Sequence, residues 1–255
     1  MTTKIIEEWS EYCENMGSAV TNIRNTIISK NTDTTISCDF ANCLISLNIT
    51  ISSLEDFRDS FNGKNFKIYS VFNLDQRFDA NVKSDRKASL LVLEKGIWLN
   101  KYRNIRETNT FSEHNYSIVS IKDEDLVYFG NVVFDAFNYD KANFQQSIEL
   151  YRNGFKSSKV HYYGLKLDEE IVSCALLHNN TTMDIAGLEL VSTRPKYQHR
   201  GFSKILISNV LNKNFAGNTK LIWLFAIRDS IAERFYSMLG FKKIANIFIQ
   251  NVNES

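Results

Sequence analysis

At 255 residues, 44% hydrophobic and 23% charged, the chain suits one large or two modest globular domains and is too apolar for a disordered one. Thirty Lys and Arg against 29 Asp and Glu leave a formal net charge of +1, which argues against bulk attraction to nucleic acid or anionic membrane. No apolar run reaches the roughly 18 residues of a membrane span, and the first residues (Lys4, Glu7, Glu8, Glu11) lack the pattern of a secretory leader, so a cytoplasmic location is expected.

In chain order, Ile5, Trp9, Tyr12, Cys13, Met16, Val20, Ile23 and Ile27 recur at three- and four-residue spacing, which predicts one long amphipathic helix over 2–30. Thr34–Asp39 and Leu44–Ile51 are rich in β-branched residues and read as strands. Ser53 is placed to cap a short helix, Leu54–Phe61, closed by Asn62-Gly63, and Lys67–Phe72 is another strand. Residues 100–115 are polar and aperiodic, hence a linker between an accessory domain at 1–110 and a second domain at 115–255. Cys13, Cys38, Cys43 and Cys174 show no Cys-x-x-Cys spacing and no histidine at ligand distance, so they read as small buried hydrophobes, with no disulfide and no metal site.

Tyr116–Ile121 is a strand, and Asp123 opens a helix with the stripe Leu126, Phe129, Val132/Val133 and Phe137. A second helix runs from about Asp140 to Asn153-Gly154. Strands at Lys159–Leu167 and Ile171–Leu177 are joined through Asp168-Glu169-Glu170, and Asn179-Asn180 turns into a strand reaching Val191. Pro195 ends that strand, and after Gly201 the residues Phe202, Ile205, Leu206, Val210 and Leu211 fall at helical spacing. A strand therefore hands over to a helix at Gln198–Ser203, where unpaired N–H groups, the positive end of the macrodipole and a glycine favour a phosphate. Leu221–Ala226, Ile231–Leu239 and Phe241–Ile249 follow as strand, helix and strand.

The order Gln198-x-x-Gly201-x-Ser203 resembles the (Arg/Gln)-x-x-Gly-x-(Gly/Ala) pyrophosphate loop of the GNAT acyltransferase superfamily, with Ser203 departing from the final small residue. Downstream, Asp229-x-x-Ala232-x-x-Phe235-Tyr236-x-x-x-Gly240-Phe241 resembles that family's Asn-x-x-Ala-x-x-(apolar)-Tyr-x-x-x-Gly-Phe signature, with Asp in the Asn place. The resemblance covers roughly 116–250 and implies an α+β fold: a mixed, mostly antiparallel, splayed sheet flanked by helices, with an N-terminal α/β accessory domain. Ala88 to Ile97 can also be laid on Ala232 to Phe241, Val92 falling where Tyr236 stands, as in tandem GNAT proteins whose first half has lost its chemistry. An unrelated accessory domain is the alternative.

The resemblance further implies acetyl-CoA as cosubstrate and an amine-bearing acceptor, with no nucleic acid or membrane partner and room for a homodimer. Pantetheine would lie along Val191, Ser192 and Thr193 on one side and Leu224–Ala226 on the other, with the Val191 N–H on the thioester oxygen. The diphosphate would meet Gln198, His199, Arg200, Gly201, Phe202 and Ser203, with Asp229 and Ala232 completing the cofactor set. Attack requires a neutral amine, because an ammonium of pKa about 10.4 has no lone pair. Glu189, two residues before Val191 and so on the same face of a regular strand, is the candidate base, with Asp184 in reserve. Tyr236 occupies the family's general-acid place. His114, His161 and His178 are read as structural. A CoA-sensing regulator or interaction module without turnover and an enzyme for longer acyl chains are the competing functions.

Overall fold

The computed structural model describes residues 1–16, 18–23, 26–31, 42–47, 66–74, 84–102, 116–180 and 182–252. In chain order the elements are α1 (Thr2–Asn15), β1 (Ser18–Ile23), β2 (Thr26–Asn31), β3 (Asn42–Leu47), β4 (Phe66–Asn73), β5 (Arg86–Glu94), α2 (Lys95–Tyr102), β6 (Tyr116–Ser120), α3 (Leu126–Phe137) and α4 (Phe144–Lys156). They continue with β7 (Val160–Leu167), β8 (Glu170–Asn180), β9 (Ile185–Thr193), α5 (Phe202–Ala216), β10 (Leu221–Ile227), α6 (Ile231–Leu239) and β11 (Lys242–Val252). The chain forms two compact units, residues 1–92 with 223–255, and residues 93–222. The expected linker over 100–115 begins inside α2 and otherwise lies outside the described residues, as do the strand at 34–39 and the helix at 54–61.

In the first unit the strand order is β1-β2-β3-β4-β11-β5-β10. All its registered pairs are antiparallel except β3 with β4. The helix expected over 2–30 stops at Asn15, and Val20, Ile23 and Ile27 belong to the β1–β2 hairpin. The apolar spacing continued past Asn15, but Val20, Thr21, Ile23, Thr26, Ile27 and Ile28 are β-branched and favour strands, so the period misled. What remains of the stripe works as predicted: Ile5, Trp9, Tyr12 and Cys13 of α1 are buried, and Trp9 meets Tyr69 edge-on with ring centroids 5.0 Å apart and Phe225 at 4.5 Å. Glu8, on the same helix and buried, accepts a hydrogen bond from the Trp223 indole N–H, which satisfies an otherwise costly buried carboxylate.

The alignment of Ala88–Ile97 on Ala232–Phe241 fails. Ala88–Val92 form the inner part of β5, every residue from Ala88 to Leu93 buried, whereas Ala232–Leu239 lie in α6. Val92 is a strand residue paired with Lys242 and is not a counterpart of Tyr236. An unbroken buried run of this kind marks a strand covered on both faces, not an amphipathic helix.

The second unit carries the antiparallel order β9-β8-β7-β6. Ile171 to His178 of β8 are all buried, because α3 and α5 cover opposite faces. Cys174 Sγ reaches the Phe129 carbonyl of α3 at 3.9 Å, while neighbouring Ser173 connects through Thr193 to Ser203 of α5. Leu126, Phe129, Val132 and Val133 are buried as the stripe predicts, but Phe137 is exposed and stacks on Tyr139. Gly154 does not end the second helix; it is buried within α4, which runs on to Lys156. Asp168 and Glu169 form a two-residue hairpin loop in which Asp168 takes φ 54°, as expected of Asp in such turns.

Candidate functional site

The passage from β9 to α5 begins with a single helical turn at Pro195–Tyr197, where the Tyr197 N–H donates to Arg194 O (2.9 Å) and the Gln198 N–H to Pro195 O (3.2 Å). Gln198 Nε2 then folds back onto Thr193 O at 3.0 Å, His199 takes φ 62° and Gly201 takes φ 81°. The left-handed backbone at Gly201 is available to glycine without penalty and strained for residues with a Cβ. Gly201 is the N-cap residue of α5, and no side chain caps that helix. Its first N–H groups and the positive end of its dipole are thus left for a ligand, beside the exposed Gln198, His199 and Arg200.

The other residues expected here divide by what their side chains already do. Phe202 is buried against Tyr197, ring centroids 6.2 Å apart, and is a packing residue. Ser203 Oγ lies 2.7 Å from Thr193 Oγ1, which is 2.8 Å from Ser173 Oγ, so the serine in place of Gly or Ala ties α5 to β9 and β8. Ser192 Oγ donates to Leu190 O (3.1 Å) and lies 3.0 Å from Cys174 Sγ. Burial, first of all, pushes the Cys174 thiol up to about 12, which makes it a packing group rather than a nucleophile. Ser192 and Thr193 are therefore buried and internally committed, leaving only backbone to a ligand.

Strand β9 is not regular. Ser192 pairs with Cys174 and Glu189 with Leu176, so Leu190 and Val191 together stand opposite Ala175 in a β-bulge, with Leu190 at φ 50°. The extra residue steps out of the ladder and bends the strand just before the loop. The bulge corrects the expectation that Glu189 and Val191 share a face: Glu189 falls on the face of Cys174 and Ser192, the α3 side, and is buried there. Asp184 lies at the opposite end of β9, seven residues and roughly 23 Å of strand from Val191. It is held there by Lys220, whose Nζ is 2.8 Å away and whose N–H donates to Asp184 O. It is not brought to the loop.

Sequence reasoning missed a cluster immediately before the loop. Glu170 Oε2 accepts from Tyr197 Oη at 2.6 Å and from Lys196 Nζ at 3.0 Å, and Arg194 pairs with Asp135 at 2.8 Å. The acidic run Asp168-Glu169-Glu170 and the basic Arg194-Pro195-Lys196 were visible, but nothing in sequence says they meet.

Asp229, Ala232 and Tyr236 belong to the first unit. Asp229 takes φ 61° and Ser230 then caps α6, its Oγ accepting from the Glu233 N–H (3.2 Å) while Glu233 Oε2 accepts from the Asp229 N–H (2.6 Å). Glu233 thus reaches back one residue beyond the N-cap, a variant of the capping box, and Asp in the Asn place fits because both residues tolerate left-handed backbone. Gly240, at φ 103°, closes the helix with the Phe241 N–H on Tyr236 O (3.1 Å). Tyr236 is buried between Phe235 and Phe241, ring centroids 5.3 and 5.6 Å away. Ala232 is exposed.

Cys13, Cys43 and Cys174 are buried, and no cluster able to hold a metal occurs among the described residues. No helix among them is long and apolar enough to cross a membrane. His178 is buried in β8 and His161 is exposed. His114 and Cys38 lie outside the described residues.

Residues 117–244, just over half of the chain, match the model of the acetyltransferase (GNAT) domain. The chain belongs to the GNAT acetyltransferase family. No curated protein matches it in sequence. Among solved structures, a GCN5-related N-acetyltransferase from Kribbella flavida superposes with a TM-score of 0.66 at 14% identity, over 97% of this chain and 94% of that one. A functionally unknown conserved protein from Staphylococcus epidermidis gives 0.68 at 9% identity, over 94% and 95%. A tandem GNAT protein from the clavulanic acid biosynthesis pathway gives 0.57 at 10%, over 94% and 84%. At such identities these likenesses show the fold alone and nothing about its substrates.

Proposed function

We propose that this GNAT protein is an acetyl-CoA-dependent N-acetyltransferase that moves the acetyl group directly to a primary amine. The observation that carries the reading is the α5 N-terminus, opened by left-handed Gly201, capped by no side chain and preceded by a bulged strand. A diphosphate supplies what this helix end lacks, and the exposed Gln198, His199 and Arg200 stand beside it.

In the proposed reaction the Val191 N–H donates to the thioester oxygen as it gains charge, a contribution typically of about 3–4 kcal/mol for one such donor. The amine lone pair forms the C–N bond, its surplus proton passes through solvent to Glu189, and the C–S bond breaks. Tyr236 gives its phenolic proton to the departing thiolate. The bulge removes the shared-face reason for Glu189, so its assignment now rests on being the nearest carboxylate along β9 to Val191, one residue before the bulge. The N-terminal residues, which carry no Gln-x-x-Gly-x-Ser loop, are assigned no chemistry.

The test is thiol release from acetyl-CoA across a panel of primary amines. Amine-dependent release supports the enzyme. Tight acetyl-CoA binding with no release from any amine would instead select the regulator, and turnover confined to longer acyl-CoA would select the other alternative.

A further inference from the structure

Resting on the reading that acetyl-CoA binds at Gln198–Ser203, we propose that Glu170 is a positioning residue that pre-sets this loop for the diphosphate while touching no ligand itself. Gln198, His199 and Arg200 are exposed, and the loop's other side-chain ties run from Gln198 and Ser203 to Thr193. Three side chains of the segment leading into it converge on the single carboxylate of Glu170, the first residue of β8. Oε2 accepts from Tyr197 Oη at 2.6 Å and from Lys196 Nζ at 3.0 Å, and Oε1 lies 3.5 Å from Arg194 Nε. Arg194 is fixed in turn by Asp135 (2.8 Å), by the Ile171 carbonyl (3.2 Å from Nε) and through its own N–H by Val172 O (2.9 Å).

From Tyr197 the constraint passes forward. The Lys196 ammonium lies 4.7 Å and the Arg200 guanidinium 5.7 Å from its ring centroid, and the ring meets the buried Phe202, the first residue of α5. Holding the phenol therefore holds the aromatic platform beneath Arg200 and the start of the helix. A loop ordered before binding loses less side-chain freedom when the ligand arrives, which raises affinity without a new contact. The carboxyl of Glu170 is held below its usual range, the Tyr197 hydrogen bond foremost among the causes, in keeping with a carboxylate that is ionised and fully engaged.

The sign of the effect separates this role from simple electrostatics. Glu170 is an anion close to a proposed diphosphate site, so if only its charge mattered, Glu170→Gln would tighten acetyl-CoA binding. Positioning predicts the opposite. Calorimetric titration of acetyl-CoA into the full chain should show Glu170→Gln and Tyr197→Phe each weakening binding by about 5–20-fold, as expected when a few side chains must be ordered on binding. The double variant should be weaker than Glu170→Gln alone by no more than about 2-fold, because Tyr197 acts through the same carboxylate. KM for acetyl-CoA should rise with kcat unchanged. If the wild type binds and Glu170→Gln binds as tightly or more tightly, the positioning role is wrong. If the wild type does not bind acetyl-CoA at all, the CoA reading falls and takes this role with it. Tyr197→Phe, which changes no charge, carries the same test should Glu170→Gln fail to fold.

Discussion

Two strand-to-helix passages in this chain are built alike and finished differently. β10 reaches α6 through a left-handed residue, Asp229, and β9 reaches α5 through left-handed residues, His199 and Gly201. At α6 the chain closes its own helix: Ser230 and Glu233 accept hydrogen bonds from backbone N–H groups, and Arg234 Nη1 donates to Asp229 O at 3.1 Å. At α5 glycine stands where the capping side chain would be, and no side chain takes its place. A helix start capped by its own side chains offers an anion fewer open N–H groups, whereas one left uncapped is a binding device whose cost is returned when the ligand arrives.

The sharpest way to probe the chemistry on the closed side is Tyr236→Phe. It keeps the ring between Phe235 and Phe241 and should leave acetyl-CoA affinity intact, yet lower kcat by the 10²–10⁴ typical of a lost general acid. A variant retaining near-full kcat, with chemistry limiting the rate, would remove Tyr236 from the mechanism. On the open side, Gly201→Asp adds a Cβ at φ 81° and a negative charge at the helix start, and calorimetry should show acetyl-CoA affinity falling by at least about 100-fold. Unchanged affinity would place the diphosphate elsewhere.

Glu189→Gln should depress activity most at low pH, with partial recovery at high pH as free amine becomes abundant, so the pH–rate profile rather than a single rate is the readout. Ser230→Ala removes the cap of α6 and should cost about 1 kcal/mol in denaturant unfolding, a smaller effect than either of the binding and rate losses above. The smallest expected effect concerns Glu170. Its folded pKa lies below the ordinary 4.5, so its contribution to stability is present above that value and is lost as pH falls through the lower folded pKa. Acid unfolding curves of the wild type and Glu170→Gln should converge as pH falls through that lowered folded pKa, and curves that stay parallel would show that this linkage is absent.

The β9–α5 passage was legible because its signals are local: a proline ending a strand, a glycine at the turn and apolar residues at helical spacing afterwards. The same locality gave α6 at its observed bounds, Ile231–Leu239. Spacing alone failed at 18–31, where a helical period and a run of β-branched residues disagreed and strand pairing won. It failed again at Ala88–Leu93, an unbroken buried run in a strand whose two sheet neighbours, β10 and β11, come more than 120 residues later in the chain. The bulge at Leu190–Val191 left no mark in the sequence, since Leu and Val are ordinary strand residues, and it reversed the face assigned to Glu189. The convergence of Arg194, Lys196 and Tyr197 on Glu170 was hidden for a related reason: the hairpin that carries the carboxylate lies 24 residues upstream of Arg194.

The contrast between the two helix starts is tested most directly by backbone amide signals during titration with acetyl-CoA. The account predicts shifts and slowed exchange at the amides of Gly201 to Ile205, with those of Ile231 to Arg234 unchanged. Saturation with acetyl-CoA that leaves 201–205 unmoved, or that moves 231–234 instead, would contradict it.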